Sequence, residues 1–129
     1  MSKQIIKSNK VPAPIGPYSQ AVIANGFLFA SGQIAFDPAT GELVLSSIEA
    51  ETTQVMENIK AILDEAKINF GHIVKTSIFL SSMDLFAAVN QVYGSYFNAD
   101  FPARETVAVK GLPRNVNVEI SITAIINQS

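Results

Sequence analysis

From Val116 to Ile126 the chain alternates, with Val116, Val118, Ile120, Ile122, Ala124 and Ile126 on one side and Asn117, Glu119, Ser121 and Thr123 on the other. A period of two is the signature of a strand with one apolar face, and that face must be covered. Upstream, Thr106 to Lys110 reads as another strand, and Gly111-Leu112-Pro113-Arg114-Asn115 holds enough turn residues to reverse the chain between them. This reading puts Glu119 on a strand and Arg104 in the loop just before one. A carboxylate fixed on a sheet and a guanidinium at its mouth are suited to binding a small anion and attacking it with water.

The rest of the chain supplies the cover. Gln4 to Lys7 reads as a short edge strand, and VPAPIGPYSQ after it, with three prolines and a glycine, reads as an extended arm that delivers Tyr18 and Ser19. Asn25-Gly26 between AVIA and FLFASGQIAF signals a tight hairpin, since both residues tolerate the positive φ of a type I′ turn. Gly32, inside the second of these strands, marks a bulge or a close approach. Asp37 to Gly41 is a turn. Ser46-Ser47-Ile48-Glu49 resembles a capping box opening a helix to about Lys67, in which Val55, Met56, Ile59, Ile62, Leu63 and Ala66 recur at helical spacing. Ile73 to Leu80 is β-branched and reads as a strand, and Ser81-Ser82 with Asp84 caps a second helix to about Phe97. On it Phe86, Tyr93 and Phe97 form an apolar row that also contains Asn90, an amide that needs partners there.

The predicted order is strand, strand, strand, helix, strand, helix, strand, strand, a single α+β domain over residues 1–129. Two helices cover one face of such a sheet, and nothing remains for the other. That second face, with Glu119, is expected to be closed by copies of the same chain.

Composition narrows the chemistry. There is no cysteine, which excludes disulfides and thiolate nucleophiles, and His72 is the sole histidine, which excludes a multi-histidine zinc site. His72 itself reads as a partly exposed residue leading into a strand. With 16% charged residues and a net charge of -2, no broad basic surface is available for nucleic acid. No apolar run approaches a membrane span, and the N-terminus lacks the apolar region of a secretory signal, so a soluble cytoplasmic protein is expected.

Five stretches occur in order: IGPYSQ at Ile15 to Gln20, SGQI at Ser31 to Ile34, NQVYGSYF at Asn90 to Phe97, PARETV at Pro102 to Val107 and VEI at Val118 to Ile120. Together they closely resemble the Rid family of imine/enamine deaminases, also called the endoribonuclease L-PSP family, over about Ile6 to Ile126. The resemblance implies a chorismate-mutase-like α+β fold, a mixed sheet of about six strands with two helices on one face, assembled as a homotrimer with sites between subunits. It implies hydrolysis of 2-iminopropanoate and 2-iminobutanoate, released by pyridoxal-phosphate-dependent dehydratases, to 2-oxo acids and ammonia, with no cofactor and no metal. By the same resemblance Arg104 clamps the substrate carboxylate and Glu119 orients the attacking water, while Tyr18, Ser31, Gly32, Asn90 and Thr106 line the pocket. Two positions depart from the family pattern: Thr106 stands where many relatives have cysteine, and Ser121 where they often carry a second acidic residue.

Two other functions compete with deamination. One is a non-catalytic module that binds 2-oxo acids or related carboxylates and reports them to a partner, for which the arginine alone would suffice. Glu119 argues against it, because a carboxylate receptor gains nothing from a second negative charge. The other is ribonuclease activity, against which the acidic balance and the lack of a basic, aromatic-lined patch both count.

Overall fold

The computed structural model describes residues 2–126, so the ends of the expected 1–129 domain lie outside the described residues. Six strands and two helices occur in the predicted order: β1 (Gln4–Ile6), β2 (Ala21–Ala24), β3 (Phe27–Gln33), α1 (Ile48–Glu65), β4 (Ile73–Leu80), α2 (Phe86–Gly94), β5 (Ala103–Ala108) and β6 (Val118–Ile125). They form one mixed sheet in the order β1-β2-β3-β6-β4-β5, with β4 and β5 parallel and every other pair antiparallel. No helix among the described residues is long and apolar enough to cross a membrane.

β6 lies inside the sheet, between β3 and β4, and its alternation is the burial pattern: Val118, Ile120, Ile122 and Ala124 are buried and the residues between them are not. They pack with Leu28, Ile78 and Leu80 of the neighbouring strands and with Val55, Met56, Ile59, Ile62 and Leu63 of α1 in one core. The β2–β3 hairpin turns at Asn25 and Gly26, with φ of 55° and 84°, as the dipeptide requires.

Three boundaries differ from the sequence reading. The cap of α1 is Ser47, whose Oγ accepts from the Ala50 amide at 3.0 Å, so no box forms between Ser46 and Glu49. Beyond Gly94 the amides of Tyr96 and Phe97 bond to carbonyls only three residues back, so α2 ends early and its last turn tightens. β5 starts at Ala103 because the parallel ladder from Lys75 to Leu80 of β4 continues opposite it, which places Arg104 on the strand, paired with Thr76, and not in a loop.

Two buried polar side chains pin the frame to the site. Gln20, at the end of the proline-rich arm, receives the Ser8 amide on Oε1 and donates Nε2 to the Ser8, Val11 and Pro12 carbonyls, so an arm without ladder bonds is still anchored. Glu51 of α1 is 1% exposed and accepts from the Asn117 amide, the Asn117 Nδ2 and the Val118 amide, fixing the start of β6 just before Glu119. Glu51→Gln turns one acceptor into a donor facing backbone amides. Its urea midpoint should drop by the equivalent of about 1 to 3 kcal/mol; an unchanged midpoint would mean that these bonds contribute nothing net.

The face away from the helices is not uniformly polar. Phe27 and Phe29 are 40% and 46% exposed with ring centroids 6.1 Å apart, and Ile5 and Val107 are exposed on the same face. Lys75 and Glu105 form an ion pair at 3.2 Å there, with Ser77 donating to Glu105.

Candidate active site

The predicted site residues fall into two groups on opposite faces of the sheet. The first surrounds Glu119. Its side chain projects from the open face of β6 and lies directly over Gly32, where a β-carbon would come within 2.5 Å of Glu119 Oε2 and 2.8 Å of its carboxyl carbon. This explains the glycine that interrupts β3: the register between β3 and β6 shifts between Ala30 and Gln33, and the carboxylate occupies the space a side chain would need. Glu119 makes no hydrogen bond or ion pair with any described residue. Burial pushes its carboxyl above the usual carboxylate range, and no cation offsets the shift.

Glu119 and Gly32 line a cleft of about 310 Å³ with Tyr18, Ile15, Phe36 and Arg114. Tyr18 is 57% exposed at the rim. Ser31 holds the arm beside it: its Oγ donates to the Ser19 carbonyl at 2.7 Å and its amide to the Gln20 carbonyl at 2.9 Å. The serine is therefore spoken for as a donor by the backbone.

The second group surrounds Arg104. Its Nη1 donates to Asn90 Oδ1 at 2.6 Å, and its guanidinium lies 5.2 Å from the Tyr93 ring centroid and 5.6 Å from that of Phe86. Asn90, the amide in the apolar row of α2, thus has its partner. The aromatic neighbours that make the row apolar are the faces on which the cation rests. Tyr93 is itself held by a 2.9 Å hydrogen bond between its hydroxyl and Thr76 Oγ1, and burial raises its phenol pKa. Arg104 keeps an exposed edge toward a hollow lined by Asn90, Tyr93, Gly94, Phe101 and Pro102. Thr106 lies two residues along β5, opposite Ile78, with its Oγ1 buried and without a hydrogen bond, and lines neither cavity.

One chain does not bring Arg104 and Glu119 together. Arg104 sits in the row of Thr76 and Ile122, while Glu119 is in the row of Phe79, three residues earlier in β6 and on the other face. Two strand spacings and three residues put their Cα atoms roughly 14 Å apart.

Nothing in the local pattern signals that Phe86 and Tyr93 clamp the arginine, although both lie at helical spacing from Asn90. Nor does it mark Arg114, which reaches the cleft from a turn. His72 is not in either cavity; it closes the turn at Phe70–His72, its Nδ1 bonded to the Asn69 amide at 3.2 Å. Among the described residues no group of three or more His, Asp or Glu is placed to hold a metal ion.

A six-stranded mixed sheet carrying two helices is the α+β fold of the Rid proteins. The chain belongs to the Rid/RutC family: residues 8–126 match the family model described as Endoribonuclease L-PSP. It is 47% identical over 128 residues to a RutC family protein of Synechocystis, covering 98% of each chain. It is 42% identical over 123 residues to the 2-iminobutanoate/2-iminopropanoate deaminase of Capra hircus, covering 95% of this chain and 90% of that one. Among solved structures it is similar to the Rid-family protein YyfA of Yersinia pestis, with a TM-score of 0.94 at 45% identity, covering 97% of this chain and all of the other.

Proposed function

We propose that this chain hydrolyses short 2-imino acids, such as 2-iminobutanoate and 2-iminopropanoate, to 2-oxo acids and ammonia in the cytoplasm. The observation that carries the reading is Glu119, a half-buried carboxyl without a partner among the described residues, seated over a glycine in an open cleft. An unpaired buried carboxyl costs stability, and a raised pKa makes its anion a stronger base than an exposed glutamate. In the reaction Arg104 binds the substrate carboxylate with its planar fork, held in place by Asn90, Phe86 and Tyr93. Glu119 takes a proton from water as the water oxygen bonds to the imine carbon. Glu119 passes that proton to nitrogen to give the carbinolamine, then carries the hydroxyl proton to nitrogen as well, so that the C–N bond breaks and ammonia leaves as the carbon–oxygen double bond forms.

The carboxylate and imine carbons of such a substrate are bonded to each other, so side chains on opposite faces of the sheet, with Cα atoms roughly 14 Å apart, cannot serve one molecule on one chain. A second copy must bring its Arg104 to the first copy's Glu119. The exposed Phe27, Phe29 and Val107 on the open sheet face support closure by copies, and a homotrimer satisfies it with three equivalent sites. Native mass measurement at micromolar concentration should give three chains; a stable monomer would reject the shared site.

The decisive experiment generates the imine in situ with a threonine dehydratase and follows 2-oxobutanoate release. Release should accelerate when the protein is added, and an unchanged rate would reject the deaminase reading. Because only deprotonated Glu119 can accept a proton, the rate should fall with decreasing pH through a value above the ordinary carboxylate range. Gly32→Ala tests the seat. A methyl there displaces the carboxylate without forbidding the backbone conformation, so kcat should fall by up to about 10²-fold with little change in Tm. A parental kcat would show that the close packing is irrelevant to turnover.

A further inference from the structure

The Glu119 cleft contains a cation that the reaction above leaves unused. Arg114 follows Pro113 in a short turn where it and Asn115 both take left-handed backbone conformations, φ 58° and 57°. Neither residue is a glycine, and such conformations cost on the order of 1 kcal/mol or more each, so the surroundings must impose them. The turn directs the Arg114 side chain back over the Phe36 ring, with its guanidinium carbon 5.2 Å from the ring centroid, on the wall of the cleft.

Held there, the guanidinium has no hydrogen bond and no ion pair with any described residue. It forms no ion pair with Glu119, the only other charged residue among the described residues lining the cleft. Arg114 is exposed, so donors of a guanidinium fixed over a ring remain free at the rim of a cleft whose remaining wall is largely apolar.

We propose that Arg114 is a specificity-determining residue that reads a second anionic group at the end of the substrate side chain, so that the site favours 2-imino acids, and their 2-oxo products, bearing a distal carboxylate. The assignment rests on the deaminase reading for the reacting end of the molecule and adds the far end. Side chains ending in a cation are disfavoured by the same guanidinium.

Binding and turnover separate the two claims. Calorimetric titration with 2-oxoglutarate and 2-oxobutanoate, on the parent, Arg114→Gln and Arg114→Lys, measures the far end alone. The parent should prefer the dicarboxylate, Arg114→Gln should lower that preference by about tenfold, and Arg114→Lys should restore part of it. A preference unchanged in Arg114→Gln, including a parallel loss for both ligands from a general disturbance of the turn, overturns the proposal. Hydrolysis of the corresponding imines, generated by an amino-acid oxidase, then tests the reacting end. Loss of dicarboxylate preference with no hydrolysis of either imine would reject the deaminase reading and leave Arg114 as a ligand reader. Hydrolysis of both imines with equal kcat/KM in parent and variant would do the reverse.

Discussion

Arg104→Lys should lose most of its activity while keeping its charge. The guanidinium is located by three contacts, the 2.6 Å bond to Asn90 Oδ1 and the faces of Tyr93 and Phe86, which together leave an edge of the fork free for a carboxylate. An ammonium is a compact point charge on a flexible stem. It can satisfy Asn90 or the substrate, but it cannot lie flat between two rings and offer two parallel donors. Loss of a charge-assisted bidentate contact should cost about 2 to 4 kcal/mol, or roughly 30- to 1000-fold in kcat/KM. The measurement is steady-state hydrolysis of the dehydratase-generated imine. Near-parental kcat/KM would remove Arg104 from the role of anchor. The fold should be indifferent, because the arginine is exposed and bonds only to one side chain.

Glu119→Gln should separate enzyme from receptor. The amide keeps the size of the carboxylate and its place over Gly32, but it cannot take a proton from water, and general-base assistance is worth roughly 10²- to 10⁴-fold. Turnover should fall by that order while 2-oxobutanoate binding holds or tightens, since a negative charge near the bound anion has gone. Parental turnover would exclude Glu119 as the base, and a collapse to monomers would make it an assembly residue. Stability supplies an independent readout. The folded-state pKa lies above the unfolded value, so the proton is bound more tightly by the native chain. The associated stability is present below the ordinary carboxylate range and is lost as pH rises through the raised value. At neutral pH Glu119→Gln should therefore melt higher than the parent, and the difference should vanish below about pH 4. A binding module without catalysis would give the ligand result without the loss of turnover.

Much of the frame was legible because local and global preferences agree there. β6 could be read from alternation alone, since a strand inside the sheet with helices on one side must be apolar on that side. The hairpin followed from Asn25 and Gly26, and β4 from its β-branched run. β5 was placed late because Ala103, Arg104 and Glu105 have little strand preference; their conformation is imposed by the ladder of β4, which the sequence does not display. The cap of α1 was off by one because either serine satisfies the local pattern and the tertiary use of Glu51 decides the register. At the candidate site, the alternation gave the face of Glu119, and the misfit amide drew notice to Asn90. The resemblance supplied the rest of the set. Gly32 inside its strand signalled a close approach, but not that Glu119 makes it. What no local pattern carried was the rings that cradle Arg104 or the course that takes Arg114 to the cleft, which arise between segments distant in the chain.

The buried Gln20 has a consequence for how quickly a ligand can be received. Its single side chain meets four backbone groups of the arm, at Ser8, Val11 and Pro12, where a sheet would have used a ladder. The stretch from Ser8 to Pro12, on the wall of the cleft, is thereby fixed when the chain folds, and the associated loss of backbone freedom, about 1 to 2 kcal/mol per residue, is not charged against association. Encounter with the proposed imine substrate would then need no ordering of this anchored stretch, leaving diffusion and orientation to limit capture on this side of the cleft.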